Sequence, residues 1–578
     1  MSWWITRADR ALEELKGLHD LACASDWFSV PSAPRFVEGL NLAQDFDICW
    51  MEKTYPLTLI FPEFFPDVPA RVVHRDGKRI SIHQYGATGE LCLRHRAENW
   101  SDSVTGRSLV EDAFALISGE HPSDGSTGHV PSGDLLTQGQ QHAGAFARFV
   151  VPSGIADRVP PLDQYETRPI QLFTSFHEGN NFVLRIASFE KDSDGHWVPL
   201  SRSLPGDYER KGLLINLAGK VDPSTLSAEA FIENVNVLRQ QAGLGVLSLS
   251  GLPNYIIDVH DPGWVAFLTL KDESAMTRYS TISGPPPADR LPATYASLGE
   301  AHVAVIGCGS IGSKVALSLA RSGVRKFTLI DDDLFHEDNT ERNALDLQAV
   351  GLHKVDALRF AIERLPGDYT FVCKRAGLGR QGSALSTNAY MEAIGKADLI
   401  LDLTANARAF NFTAAVSTRR KIPFVGASVF AGGIGGMVFR ARPDVDPTPA
   451  QAKAQIKRWK SDRGVPWETE GEVDPYTYTL DEDVMIATDA DVSVMAGYAT
   501  QMALDILGDA PTSAYPHSAY AIGFQEKWIF SAPFHVFPIA LAADGVWGEP
   551  AAVSEVDRQA NIAALEKIAE LLTEKDAS

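Results

Sequence analysis

The chain contains few cysteines for its length. There are five in 578 residues: Cys23, Cys49, Cys92, Cys308 and Cys373. No two of them form a C-x-x-C pair, and their number is odd. The sequence therefore supports neither a disulfide framework nor a structural zinc site built from paired cysteines.

Long apolar runs are also missing. No segment reaches the roughly 18 to 20 consecutive apolar residues that a membrane helix needs. The first 21 residues mix charged and apolar side chains and lack the apolar centre of a signal peptide. We therefore expect a cytoplasmic protein with no membrane partner.

Basic residues are in the minority, with 52 Lys and Arg against 74 Asp and Glu, a formal net charge of -22. Such a surface repels nucleic-acid phosphates unless a local basic patch compensates, and no such patch is evident. A nucleic-acid partner is therefore not expected. A protein or a nucleotide is the more natural partner.

A chain of this length is expected to form several domains, each with its own core. Two segments rich in Gly, Ser and Pro, 121–141 and 283–300, mark the breaks. We predict an α/β multidomain protein with an α+β domain at 1–120, a linker or mobile loop at 121–145, an α+β middle domain at 146–285, a Rossmann-like nucleotide domain at 286–545 and an amphipathic helix within 546–578.

The strongest motif in the chain follows residue 300. The pattern begins with a buried strand (303–306), followed by a turn with the G-x-G-x-x-G glycines Gly307, Gly309 and Gly312. A helix (313–322) and a second strand (327–330) that ends at Asp331 complete it. Glycines let the backbone approach phosphates, and the helix N-terminus offers free N–H groups to them. An NAD-dependent dehydrogenase has the same pattern up to Asp331.

The residues after this acid favour a different enzyme. Asn339 and Arg342 occur in N-x-x-R-N, and Lys354 follows twelve residues after the arginine. Hydride transfer has no use for such cations beside the nucleotide, whereas attack on the α-phosphate of ATP requires stabilisation of the departing pyrophosphate. The alternative is that Arg342 and Lys354 are solvated surface charges.

This series resembles the superfamily of ThiF, molybdopterin-synthase-activating and ubiquitin-activating enzymes, over about residues 300 to 510. The resemblance implies an adenylation domain that uses ATP and Mg²⁺ to activate the C-terminal glycine of a ubiquitin-like protein, commonly as a homodimer. It assigns phosphate binding to the three glycines, the ribose to Asp331, a position beside the nucleotide to Asp333, and the triphosphate to Asn339, Arg342 and Lys354.

Two features depart from that family. It usually has D-x-x-D-N at the end of the next strand, but this chain has Asp402, Leu403, Thr404, Ala405 and Asn406. Ala405 cannot bind a metal, so either Asp402 serves for Mg²⁺ and catalysis, or a different acid does, or the site is weak. Many members also carry a later catalytic or zinc-binding cysteine, and no cysteine follows Cys373 here.

A second resemblance lies near the N-terminus, over about residues 30 to 120. The order Y-P-L, F-P-x-x-F-P-x-x-P, a histidine, G-x-L-C-L and a tryptophan eight residues after the cysteine resembles ubiquitin-conjugating enzymes. In that family the corresponding cysteine, here Cys92, accepts the modifier as a thioester. A thiolate suits this role because it both attacks and leaves readily.

The usual His-Pro-Asn of that family is absent. His83 is followed by Gln84 and Tyr85, so the oxyanion-stabilising asparagine has no counterpart. Gln84 is a candidate donor in its place, and His95 a candidate for proton transfer, although each is also consistent with a purely structural role.

Together the two resemblances imply that ATP activates a protein C-terminus, that Cys92 takes the acyl group, and that an amine of an acceptor protein receives it. Such fusions resemble those of bacterial ubiquitin-like conjugation and CBASS-type anti-phage operons. Two alternatives remain open: a sulfur-carrier-type adenylating enzyme in which 1–145 only docks a partner, and a nucleotide-binding scaffold without turnover.

Overall fold

The protein is described by a computed structural model. It describes residues 2–84, 89–121, 130, 138–151, 155–159, 161–177, 181–191, 195, 197–260, 263–270, 275–284, 291–379, 384–464, 477–480, 483–548 and 555–575. Most of the expected linker, residues 122–129 and 131–137, lies outside this range, as do 285–290 of the second break.

The N-terminal region is an antiparallel meander with helices before and after it. Its strands pair in the order β1-β3-β4-β5, and β2 pairs with β3. Apolar side chains of the longer helices and of β3 and β4 form one core. The elements are α1 (Trp3–Thr6), α2 (Ala8–Ala24), β1 (Phe28–Ser29), β2 (Arg35–Val37), β3 (Asn41–Trp50), β4 (Lys53–Phe61), β5 (Arg71–His74) and α3 (Gly106–Glu120).

The middle region is a nine-stranded mixed sheet with one long helix, consistent with an α+β unit. The strands pair in the order β13-β12-β11-β10-β7-β8-β6-β14, and β9 pairs with β8. The elements are α4 (Gln138–Gln141), β6 (Ala147–Val151), α5 (Ile155–Arg158), β7 (Thr167–His177), β8 (Asn181–Lys191), β9 (Trp197–Pro199), β10 (Asp207–Ile215), α6 (Ala228–Gln241), β11 (Tyr255–His260), β12 (Gly263–Leu268), β13 (Thr277–Arg278) and β14 (Ser280–Ser283).

The C-terminal region is built on an eight-stranded sheet of order β17-β16-β15-β18-β19-β20-β23-β24, parallel up to β19 and antiparallel beyond it. Its elements begin with β15 (His302–Ile306), α7 (Ser310–Arg321), β16 (Lys326–Ile330), α8 (Lys354–Glu363), β17 (Thr370–Lys374), α9 (Ala384–Ile394), β18 (Leu399–Asp402), α10 (Ala407–Arg420), β19 (Phe424–Phe430) and β20 (Gly435–Ala441). They continue with α11 (Pro449–Ser461), β21 (Thr477–Leu480), β22 (Asp483–Ile486), α12 (Asp489–Leu507), β23 (Ala519–Gly523), β24 (Val536–Ile539) and α13 (Glu555–Lys575).

The parallel half of this sheet follows from its sequence. Strands β15, β16 and β18 are short runs that are almost entirely apolar and buried, as expected when helices cover both faces. Strand order reverses direction on either side of β15, since β16 lies beside it in one direction and β18 in the other. A crevice at the carboxyl ends of strands forms at such a point, and it is where open α/β sheets bind ligands.

The α/β multidomain architecture expected from the sequence is confirmed. Helix α7 begins at Ser310, three residues before the expected start, because Gly309 already serves as its N-cap. Helix α13 is present, with exposed side chains from 558 to 568. Among the described residues, no helix combines the length and apolarity required to cross a bilayer.

Candidate functional site

A cleft of about 520 Å³ lies at the carboxyl ends of the central parallel strands. It is lined by residues of β15, β16 and β19 and by the segments that follow β15, β16, β17 and β18. The predicted residues Gly307, Gly309, Asp331, Asp333 and Lys354 all lie on its wall. Segments more than 40 residues apart in the sequence thus meet at one crevice.

Close contacts with neighbouring backbone require glycine at two positions of the motif, Gly307 and Gly312. Gly307 has φ +88°, a left-handed conformation, and a Cβ there would approach the backbone of Leu403 at 3.1 Å. Gly312 does not line the cleft. A Cβ at this position would lie 1.8 Å from the carbonyl oxygen of Gly307, so this glycine allows helix α7 to pack against the turn.

Asp331 holds the turn in place. Its Oδ2 accepts a hydrogen bond from the backbone N–H of Cys308 at 2.7 Å, and its Oδ1 accepts one from Asp333 N–H at 2.9 Å. Burial raises the pKa of this carboxyl, against the opposing effect of the two N–H donors and of Lys354. Asp331 lines the cleft, where the resemblance places the ribose hydroxyls.

Lys354 is the first residue of α8, and its Nζ lies 3.1 Å from Asp333 Oδ2. The lysine side chain is only 13% exposed, while Asp333 is 55% exposed. Its charge is therefore partly shielded from water and acts more strongly on a nearby anion than a surface lysine does. The carboxylates of Asp331, Asp332 and Asp333 lie within 4.8 Å of one another beside it.

Asn339 and Arg342 do not line the cleft in this structure. Asn339 Oδ1 accepts a hydrogen bond from His336 N–H and caps the short 3-10 helix Glu337–Glu341. Arg342 Nη1 donates to the carbonyl oxygen of Ala487 at 3.2 Å, and Ala487 itself lines the cleft. Arg342 is thus connected to the cleft through the chain that enters α12.

Asp402 is buried and does not line the cleft either. Its Oδ1 accepts hydrogen bonds from the N–H and hydroxyl of Thr404, and its Oδ2 accepts one from the Thr413 hydroxyl at 2.8 Å. Burial raises the pKa of this carboxyl. Its observed contacts connect the end of β18 to α10. Ala405, the residue at the family's second acid position, does line the cleft.

Several polar residues on the cleft wall were not predicted as site residues, among them Asn406, Arg408 and Ser428. Asn406 caps α10 by accepting hydrogen bonds from the N–H groups of Arg408 and Ala409. The exposed side chain of Arg408 brings a further cation to the rim. The available signal was their position, since both β18 and β19 end at this edge of the sheet.

Cys92 occupies a separate place in the N-terminal region. It is half-buried, and its backbone N–H donates to the carbonyl oxygen of His83 at 2.8 Å. The His83 ring is buried, and its Nε2 lies 2.7 Å from the carbonyl oxygen of Val130. These contacts fix the backbone around the thiol.

The amide of Gln84 is fully engaged by backbone groups. Its Oε1 accepts from Ile80 N–H, and its Nε2 donates to the carbonyl oxygens of Lys78 and Gly89. Gln84 therefore ties together the chain before and after 85–88, which lies outside the described residues. In this conformation neither amide hydrogen is left for a substrate oxyanion.

His95 is held by a buried carboxylate. Its Nδ1 lies 2.8 Å from Asp112 Oδ2, and the same oxygen accepts the backbone N–H of His95 at 3.0 Å. Asp112 lies on α3, 17 residues further along the chain, and was not anticipated from the sequence.

Cys308 and Cys373, the two cysteines of the C-terminal region, are packed among other residues. Cys308 is completely buried in the glycine turn, and burial raises its pKa well above the usual range. Cys373 lies on β17, where burial raises the pKa of its thiol to about 11. Such thiols are poor nucleophiles at neutral pH because little thiolate is present.

The cleft lies at the point of an α/β sheet where such sheets bind ligands, and comparison with known proteins gives the family of this region. Residues 289–521 match the ThiF family. The C-terminal region therefore contains a ThiF family domain, which confirms that part of the expected resemblance. No comparison bears on the resemblance of 1–120 to conjugating enzymes, which stays a prediction.

Individual relatives match part of the chain. The chain is 33% identical over 166 residues to a Sinorhizobium fredii protein named "Uncharacterized protein y4oA", covering 27% of each chain. It is 31% identical over 135 residues to the molybdopterin-synthase adenylyltransferase of Salmonella typhimurium, covering 23% of this chain and 51% of the relative. The matched part thus spans between about a quarter and a half of these two relatives.

Among solved structures, Escherichia coli MccB with ATP aligns at 15% identity and a TM-score of 0.34, covering 44% of this chain and 68% of that one.

Proposed function

We propose that the C-terminal domain adenylates the C-terminal carboxylate of a protein or peptide with ATP. A carboxylate oxygen attacks the α-phosphorus, the bond to the β-phosphate oxygen breaks, and pyrophosphate leaves as the acyl-adenylate forms. The match to the ThiF family and the similarity to two adenylyltransferases support adenylation as the reaction class. The observation that carries the proposal is the position of Lys354 in the same cleft as the glycine turn.

Three features of the cleft serve this chemistry. The N-terminus of α7 and the glycine turn present backbone N–H groups to phosphate oxygens. Lys354 supplies a partly shielded positive charge toward the departing pyrophosphate. Asp331 offers a carboxylate for ribose hydroxyls. These roles are those that the resemblance assigns to the same residues.

Carboxylate oxygens are the ligands that Mg²⁺ prefers. Asp332 and Asp333 line the cleft beside the phosphate turn and carry carboxylates within 4.8 Å of each other and of Asp331, whereas Asp402 does not line it. When bound with ATP, the ion would neutralise phosphate charge.

Adenylation is tested by the products of α-labelled ATP with the full-length chain, Mg²⁺ and synthetic peptides that end in glycine. We expect AMP rather than ADP. Lys354→Ala lowers the rate by about 100- to 1000-fold, the usual loss when one donor to a developing charge is removed. Lys326→Ala is the matched control, because Lys326 forms a surface ion pair with Glu300. Formation of ADP, or equal rates in the two variants, contradicts the assignment.

We further propose that Cys92 receives the acyl group directly from the adenylate. The Cys92 thiolate attacks the acyl carbonyl, AMP leaves, and a thioester forms. An acceptor amine, commonly a lysine, then displaces the thiolate to give an amide. The motif around Cys92 and the absence of any cysteine after Cys373 support this route. We also propose a role in bacterial ubiquitin-like conjugation or anti-phage defence, because a conjugating-enzyme-like region followed by an adenylation domain resembles the fusions of those systems.

The thioester is tested on gels with ATP, Mg²⁺ and a fluorescent peptide that ends in glycine. A thiol-sensitive band that disappears in Cys92→Ala is expected. A band that persists in this variant places the acyl group elsewhere. Cys49→Ala is the matched control, because Cys49 is exposed in the same region.

A sulfur-carrier-type adenylating enzyme is the second candidate. It is favoured by the similarity to adenylyltransferases and by the engaged amide of Gln84. It predicts AMP formation without a covalent adduct at any cysteine. A nucleotide-binding scaffold predicts ATP binding without turnover. A homodimer through the ThiF family domain is proposed by resemblance alone.

A further inference from the structure

We infer that Asp112 is a positioning residue that orients His95 as the base for transfer of the acyl group from Cys92 to an amine. This inference rests on the proposed thioester at Cys92. It adds a specific pair of side chains to a site that lacks the family's usual asparagine.

The contacts of Asp112 fix the orientation of the ring. One oxygen accepts both the His95 backbone N–H and the ring nitrogen Nδ1, at 3.0 Å and 2.8 Å. A carboxylate can only accept hydrogen bonds, so Nδ1 must carry the hydrogen. In the neutral ring, Nε2 then carries the lone pair and is the basic atom.

Burial makes this orientation persistent. The Asp112 side chain is 8% exposed on α3, whereas the His95 ring is 32% exposed. His95 Nε2 has no hydrogen-bond partner in the part of the chain that the structure describes. A buried acceptor that holds one nitrogen while the other remains accessible is the arrangement that general-base histidines require.

The position along the chain connects this pair to Cys92. His95 follows the thiol by three residues, and the backbone at Cys92 is pinned to His83. Gln84, the other candidate for assistance, has its amide occupied by backbone groups. Of Gln84 and His95, only His95 therefore keeps a polar side-chain atom without a hydrogen bond to the described residues, and its ring is more exposed than the buried ring of His83.

The chemical step balances without further reactants. The nitrogen of the acceptor amine attacks the thioester carbonyl, the carbon–sulfur bond breaks, and Cys92 leaves as a thiolate. Before this attack, the lysine ammonium gives one proton to His95 Nε2, and the second proton, lost as the amide forms, passes to water. Amide and thiolate are the products, and the imidazolium returns its proton to water.

The two variants that test the pair have different effects on the ring. His95→Gln removes the base. Asp112→Asn retains size but removes the charge. If its NH₂ takes the place of Oδ2, it donates to Nδ1 and moves the ring hydrogen to Nε2; if its carbonyl oxygen takes that place, the ring keeps its orientation but loses the anion that stabilises the imidazolium. Glu111→Gln is the matched control: it makes the same charge change one residue away, at an exposed side chain paired with Arg107.

The test uses a small acyl probe, so the natural modifier is not needed. Full-length protein carrying Cys23→Ser and Cys49→Ser, which removes the exposed thiols, is treated with the mercaptoethanesulfonate thioester of N-acetylglycine. Peptide mass mapping measures acylation of Cys92. The acyl-enzyme is then mixed with free lysine or with hydroxylamine, an amine that is largely neutral at pH 7.

We expect similar acylation of Cys92 in all variants. Transfer to lysine falls by about 100-fold or more in His95→Gln and Asp112→Asn, as when a general base is lost, while transfer to hydroxylamine falls much less. A general distortion of the site would instead slow both amines equally. Equal transfer to lysine in all variants, or an equal loss with both amines, overturns the inference. Failure of Cys92 to acylate in the parent protein contradicts the thioester chemistry itself.

Discussion

Substitution of Gly312 by alanine tests the geometry of the phosphate turn. The new Cβ would lie 1.8 Å from the carbonyl oxygen of Gly307 and 2.9 Å from its carbonyl carbon. Both atoms belong to the backbone, so neither can move away by a change of rotamer. An ordinary contact between a Cβ and a carbonyl oxygen is above 3 Å, whereas this Cβ would lie 1.8 Å from the oxygen. Helix α7 and the turn must therefore separate by roughly 1 Å or more.

Overpacking of this kind typically costs about 1–3 kcal/mol, and the upper end is expected here because backbone atoms are involved. If the turn moves to relieve the clash, a cost of about 3 kcal/mol is taken from ATP binding. ATP affinity then falls by about 100-fold, because each 1.4 kcal/mol corresponds to a factor of ten. Calorimetric titration of ATP into the full-length protein measures this change. A thermal unfolding scan detects the alternative, in which the turn stays in place and the fold is destabilised.

Gly497→Ala is the control for glycine replacement as such. Gly497 is an exposed residue within α12, and no atom lies within 4 Å of its hypothetical Cβ. Alanine should stabilise the helix there by about 0.5–1 kcal/mol and leave ATP binding unchanged. If Gly312→Ala matches the parent protein in both ATP affinity and melting temperature, the described packing of α7 on the turn is incorrect.

Further substitutions test a buried ion pair of the C-terminal region, the contacts of Asp402 and those of Gln84. Arg440→Ala leaves Asp505 without its buried partner, and a loss of about 3–5 kcal/mol should lower the melting temperature sharply; an unchanged melting curve would contradict the buried pair. Asp402→Asn weakens the hydrogen bonds to Thr404 and Thr413, so stability falls while the Mg²⁺ dependence of ATP binding persists; loss of that dependence would restore Asp402 as a metal ligand. Gln84→Ala removes three hydrogen bonds to the backbone, and faster proteolytic cleavage between 78 and 91 is expected, with an unchanged rate as the contrary result.

The nucleotide-binding half of the fold was predictable because its signals are local. The apolar run before Gly307 and the glycine spacing predicted β15, the turn and α7 within a few residues. Lys354 was also predictable, because its distance from Arg342 follows a family pattern.

Side-chain orientation was less predictable. The contacts of Asp402 depend on the Thr413 hydroxyl, nearly two helix turns into α10, and those of Arg342 depend on Ala487, 145 residues away. Asp112 meets His95 only because α3 packs on the meander. No periodicity in the sequence encodes such pairings, and the strand order of the nine-stranded middle sheet depends on long-range pairing in the same way.

ATP–pyrophosphate exchange tests the central claim most directly. The full-length chain, Mg²⁺, ATP, labelled pyrophosphate and a peptide ending in glycine are combined, and label entering ATP is measured. We expect exchange that requires the peptide and is lost in Lys354→Ala but retained in Lys326→Ala. ATP binding without exchange for any such peptide would contradict adenylation and leave a nucleotide-binding scaffold.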